Sequence, residues 1–123
     1  MTTKTEVRVG VVPTHRATIY VAGNLDDARR LISQHCWEVG LCVNLMPCEF
    51  IFTGGAETGV AVTLVNYPRF PSCSTVINLK AITLGRALLE GLHQRTALVV
   101  CDDDTVWLTR EPPGTTERPF GHG

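Results

Sequence analysis

Long apolar runs are missing from this sequence, and so is an excess of either charge. No stretch approaches the roughly 18 apolar residues that a membrane-crossing helix needs, so no membrane partner is expected. Eleven Lys and Arg stand against twelve Asp and Glu, for a formal net charge of −1 at pH 7. Coating duplex nucleic acid requires a cationic field, which this balance denies. Two or three arginines can still build a local pocket for a small anion. The first eight residues, Met1 to Arg8, contain no signal-peptide apolar segment. Cysteine pairing motifs are absent as well: the five cysteines are odd in number and none forms a C-x-x-C. Cys36, Cys42 and Cys48 are spaced by six, which is not a usual zinc spacing, so neither a metal site nor a disulfide framework is expected. Free thiols and no leader give a cytoplasmic expectation.

Catalytic signatures are equally scarce. The chain has no G-x-S-x-G, H-E-x-x-H or H-x-T repeat. His15, His35, His93 and His122 are scattered, and His35 beside Cys36 on one helix points about 100° away from it. Asp102, Asp103 and Asp104 fit a hairpin turn better than a Mg²⁺ site. No catalytic residue, metal ligand or cofactor is assigned on these grounds, and the expectation is a protein that is not an enzyme.

What is present patterns well. At 123 residues and 44% hydrophobic, the chain has room for one domain, residues 1–110, with 111–123 as a flexible tail too poor in apolar groups to order itself. Thr18–Ala22 reads as a strand, and Asn24 caps a helix of about four turns ended by Gly40. Leu41–Met46 and Glu49–Phe52 flank Pro47 as a strand at a bulge or edge. Thr53–Gly59 is a hairpin loop and Val60–Asn66 its returning strand. Ser72 or Ser74 caps a second helix; Thr96–Cys101 and Thr105–Thr109 are the last strands, and Glu6–Val12 a possible extra one. The fold class is α+β, a β-α-β-β-α-β-β sheet with two helices on one face. Phe50, Phe52, Leu45 and Trp107 exceed what one helical layer covers, so a homo-oligomer joined through the sheet or its edges is expected.

The candidate site lies in Phe52–Pro71. Its strand ends in Asn66-Tyr67-Pro68-Arg69-Phe70-Pro71, a corner stiffened by two prolines. There Tyr67 or Phe70 can stack a flat ring, Arg69 can pair a phosphate, and Asn66 can read a polar edge. A packed structural corner fits the same residues about equally well. Thr53, Gly54 and Gly55 can offer backbone N–H groups to an anion, although a hairpin needing positive φ explains these glycines more simply. Trp107 and Arg110 complete the candidate ligand-binding set.

The block V-G-L-C-V (39–43), with F-x-F-T-G-G-x-E-x-G-V-x-V-x-L-x-N-Y-P-R-F-P (50–71), resembles small proteins of tailed phages, the Thoeris anti-defence sponge family. The resemblance implies a non-enzymatic oligomer that sequesters a cyclic ADP-ribose isomer or cyclic oligonucleotide in the host bacterial cytoplasm. Its partner would be a small nucleotide-derived signal. Two other readings stand beside it: a tautomerase-like isomerase, for which Thr2 stands where a nucleophilic proline belongs, and a protein-binding inhibitor of a host defence protein.

Overall fold

Strict alternation starts the fold. In β1 (Arg16–Ala22), Ala17, Ile19 and Val21 are buried while Thr18 and Tyr20 between them face the other way. Seven elements follow one another over the residues that the computed structural model describes, 5–110. After β1 come α1 (Leu25–Val39), β2 (Asn44–Phe52), β3 (Gly55–Val65), α2 (Ser74–Gly91), β4 (Thr96–Cys101) and β5 (Thr105–Thr109). The five strands form one antiparallel sheet in the order β2-β3-β1-β4-β5, and both helices pack on a single face, as expected. The expected tail at 111–123 lies outside the described residues.

The core is the layer between sheet and helices. Ala28 and Ile32 of α1, and Ile77, Ala81, Leu84 and Leu88 of α2, meet Ile19, Val21, Val60, Val62, Leu64 and Val99. Each fully buried aliphatic of this size contributes about 1.5–3 kcal/mol. Gly85 brings α2 close: a Cβ there would stand 3.0 Å from Leu108 Cδ1 and 3.3 Å from Val99 Cγ2. Asn24 caps α1 by accepting the Asp27 N–H at 3.0 Å, and the Gly40 N–H donates to Cys36 O at 2.9 Å.

Four local readings change. The hairpin turn is Thr53-Gly54 alone, with Phe52 opposite Gly55, because Gly54 takes the φ of 88° that the third residue of a tight turn requires. β2 runs unbroken through Pro47, since an edge strand needs only one of its two rims for pairing. Neither serine caps α2; Cys73 does so without a side-chain bond, and the Ser72 N–H is held by Asn66. Residues 6–12 form no strand and join no ladder among the described residues.

Register sorts the far face of the sheet. Trp107, Leu98, Tyr20, Ala61 and Met46 line up across β5, β4, β1, β3 and β2. Phe50 and Phe52 share that face with Met46, whereas Leu45 sits opposite buried Val62 and packs into the helical side. No helix covers this second face among the described residues.

Candidate functional site

The antiparallel order gathers distant segments at one end of the sheet. β1 begins there, β3 and β4 end there, and β2 starts nearby. His15 and Asp102, 87 positions apart in sequence, thus come within 3.9 Å, Nδ1 to Oδ2. The Arg16 N–H also reaches Asp102 Oδ2, at 3.4 Å. Asp103 and Asp104 follow in the same turn, closed by the Cys101 N–H on Asp104 O at 2.8 Å. An imidazole and three exposed aspartates therefore share this rim with the Asn66–Pro71 corner.

Asn66 organises the corner. Its Nδ2 donates to Pro13 O at 2.7 Å, its Oδ1 accepts the Ser72 N–H at 2.7 Å, and its own N–H donates to His15 O at 3.0 Å. One amide thereby joins the segment before β1, the end of β3 and the entry to α2. Both ends of that amide are engaged within the chain. Beside it the Phe70 N–H donates to Tyr67 O at 3.1 Å, tightening the turn, and the two rings lie 5.7 Å apart, tilted by 56°. The Cys42 thiol donates to the Tyr67 hydroxyl at 3.3 Å. Hydrogen bonding with Cys42, in which the phenol O–H donates once the sulfur is ionised, then burial, then the thiolate's charge raise the phenol above its usual pKa, so Tyr67 stays neutral in the physiological range. Arg69 is exposed and makes no ion pair among the described residues.

A cavity of about 310 Å³ opens between residues 10–15 and Val65, Asn66 and Pro68. Its size is at the low end for small-molecule sites. Ligand chemistry available on this rim comprises two tilted aromatic rings, a free guanidinium, an imidazole and a row of carboxylates. No group of three or more His, Cys, Asp or Glu is placed to hold a metal among the described residues. The Cys36, Cys48 and Cys101 thiols are pushed above the ordinary cysteine value by burial first. They are neutral thiols, not activated nucleophiles.

The remaining candidates lie elsewhere. Thr53, Gly54 and Gly55 form the exposed hairpin tip at the other end of β3, ten residue steps from Val65, roughly 33 Å away. Arg110 is also at that far end, its Nε donating to Gln94 O at 3.1 Å and its N–H to Arg95 O at 2.7 Å. Trp107 sits midway, partly buried on the open sheet face opposite Leu98. One copy of the chain therefore unites Asn66, Tyr67, Arg69 and Phe70, but not the other five. Sequence reading passes over three contributors: Pro13, to which it gives no role, His15, one of four scattered histidines, and Cys42, one of three cysteines at an unhelpful spacing. Only the strand order, with β1 between β3 and β4, reveals the first two.

No protein-family model matches the sequence. No curated protein matches it in sequence either. Solved structures do match in fold. A phage SAM lyase in the apo state superposes with a TM-score of 0.65 at 18% identity, over 79% of this chain and 90% of its own. A phage SAM lyase in complex with S-methyl-5′-thioadenosine gives 0.68 at 15% identity, over 86% and 97%. These comparisons overturn the sponge resemblance and the non-enzymatic expectation drawn with it. They equally leave the tautomerase-like and protein-inhibitor readings without support, because the architecture this chain shares is that of SAM lyases.

Proposed function

We propose that this chain binds S-adenosylmethionine and cleaves it without water, releasing methylthioadenosine. One observation carries the reading: the match in fold over nearly the whole of a phage SAM lyase that holds S-methyl-5′-thioadenosine. The chemistry asks little of the protein. The sulfonium is a built-in leaving group: as the bond from sulfur to the aminobutyrate chain breaks, its electron pair passes to sulfur and leaves a neutral thioether. In the same step the four-carbon fragment either closes its own carboxylate onto that carbon or gives up the proton on the neighbouring carbon to a base, the C–H electron pair forming the double bond. The first route calls on no protein nucleophile. It calls for a folded substrate conformer held in a dry pocket.

The corner offers suitable groups. Tyr67 and Phe70 present aromatic faces to adenine or to the sulfonium, the latter by cation–π attraction. Asp102, Asp103 and Asp104 attract the cationic end, and Arg69 can fork onto the carboxylate. Trp107 and the Thr53–Gly55 and Arg110 end enter the same site from a second copy, in a homo-oligomer joined through the sheet or its edges. Residues 1–110 act as one ligand-binding domain, in a cytoplasm that keeps the five free cysteines reduced.

Purified protein is incubated with S-adenosylmethionine and the products are separated by reversed-phase chromatography. Methylthioadenosine should accumulate above a heat-inactivated control, and Arg69→Ala should slow its release at least tenfold, about the loss of one charge-assisted contact. Recovery of substrate at the control level would sink the proposal. Normal turnover by Arg69→Ala would move the pocket away from the corner.

A further inference from the structure

The segment before β1 is patterned as a strand, yet pairs with nothing in its own chain among the described residues. Val7, Val9 and Val11 alternate with Arg8 and Gly10 and are 91%, 86% and 87% exposed. Period-two alternation marks a strand with one face meant for burial. Here that face is in water along its whole length. The root of the segment, by contrast, is pinned by the bonds from Asn66 to Pro13 O and His15 O.

We infer that this arm adds as a strand to the outer rim of β2 in a second copy of the chain. The arm from 5 to 12 has eight residues against nine in β2, while β5, the other edge, has five. β2 also carries exposed apolar groups that such a strand would cover, with Met46 and Phe52 on one face at 56% and 55% exposure. Pairing in register sets the valines on the sheet face of Met46 and Phe52. Glu6 and Arg8 then fall on the face of Glu49, where charges stay solvated. Pro47 removes one amide from the middle of the rim, so the added strand bulges past it and bonds on either side.

A second copy is the fitting occupant because arm and acceptor lie on the same chain, so exchange is mutual and creates two identical junctions. Within its own chain the arm lies against the Tyr67–Pro71 corner, a Cβ at Gly10 standing 3.5 Å from Pro68 Cβ, and Tyr67 ties that corner to Cys42 just before β2. The arm's root also lines the 310 Å³ cavity, so docking brings the neighbouring copy to that cavity's open side. The inference holds whatever molecule the cavity takes.

Light scattering and hydrogen exchange on the full chain test it together. The wild-type mass should be at least twice the 13.5 kDa of one chain, with the amides of residues 7–11 protected about 100-fold or more. Val7→Glu with Val9→Glu should give the single-chain mass, lose that protection and keep the wild-type circular dichroism. Met46→Glu, at the acceptor, should do the same. A wild-type single chain would overturn the inference, whether its arm is free or folded back. So would an oligomer whose arm amides exchange at the unstructured rate, or a double variant that loses its fold.

Discussion

Replacing Asn66 by alanine removes the side chain that joins the arm's root, the end of β3 and the start of α2. Two hydrogen bonds go, to Pro13 O and from the Ser72 N–H, each 2.7 Å long. A typical bond of this kind contributes about 1 kcal/mol net, and an orphaned buried group costs more. Water reaches the Pro13 carbonyl, whereas the Ser72 bond is part-buried. The expected loss is therefore about 1.5–3 kcal/mol, with the Ser72 side dominant. For a domain of this length that lowers Tm by roughly 5–12 °C. Asn66→Asp separates the two bonds. It keeps an oxygen for the Ser72 N–H but sets a carboxylate against the Pro13 carbonyl. At pH 7 it should fall between wild type and Asn66→Ala. Below about pH 4 the protonated carboxyl can donate to Pro13 again, and part of the gap should close. Differential scanning calorimetry from pH 3 to pH 8 reads this directly. An Asn66→Ala protein that melts within about 2 °C of wild type would refute the reasoning, because the corner would then be held by packing alone.

Two further perturbations probe the sheet and the thiols. At Gly59 a methyl group would run into the Phe50 ring and stand 2.6 Å from Val21 O and 3.0 Å from Ala22 Cα. Phe50 can rotate away but the β1 backbone cannot, so Gly59→Ala should cost about 1–3 kcal/mol in urea titration. Gly91→Ala meets only the tip of Leu31, at 2.6 Å from Cδ1, and should cost less than half as much; equal losses would count against the backbone argument. Burial raises Cys36, Cys48 and Cys101 above the ordinary thiol value of 9.0. Their contribution is complete below pH 9 and lost as pH climbs through the raised folded values, so Tm should fall there. Cys101→Ala should flatten that alkaline slope, and an unchanged slope would assign it to other groups.

Strands and helices were legible wherever one face is buried. Alternation in 18–22 and 96–101, and the helical spacing of Leu25, Ala28 and Ile32, all follow from a single core layer. Misreadings fell where tertiary partners decide. The Thr53–Gly59 loop looked long because four glycine or small residues stand together, yet only Gly54 needs positive φ and residues 55–59 pair as strand. Leu45 and Phe50 look alike in sequence, and only register places them on opposite faces. The site was half legible. The corner is assembled by contiguous residues, so its rings and guanidinium were visible. His15 with Asp102, and Asn66 with Pro13, depend on strand order and left no local mark.

The same distinction explains why the block at 50–71 pointed to the wrong family. Its most distinctive letters answer to folding needs. Gly54 makes the turn, Gly59 admits the β1 backbone, Asn66 spends its amide on Pro13 and Ser72, and Tyr67 takes the Cys42 thiol. A string of residues constrained in that way can recur in proteins that share a corner and nothing of its chemistry. The lack of catalytic motifs was an equally weak guide. Motifs record groups the protein must supply, such as a nucleophile with its base or a set of metal ligands. A sulfonium substrate brings its leaving group, and through its carboxylate can bring its nucleophile. A chain that cleaves it needs shape, aromatic surface and dispersed charge, none of which has a fixed spacing in sequence. On that view Tyr67 and Phe70 matter through the 5.7 Å between their rings, a distance set by the turn that Asn66 holds.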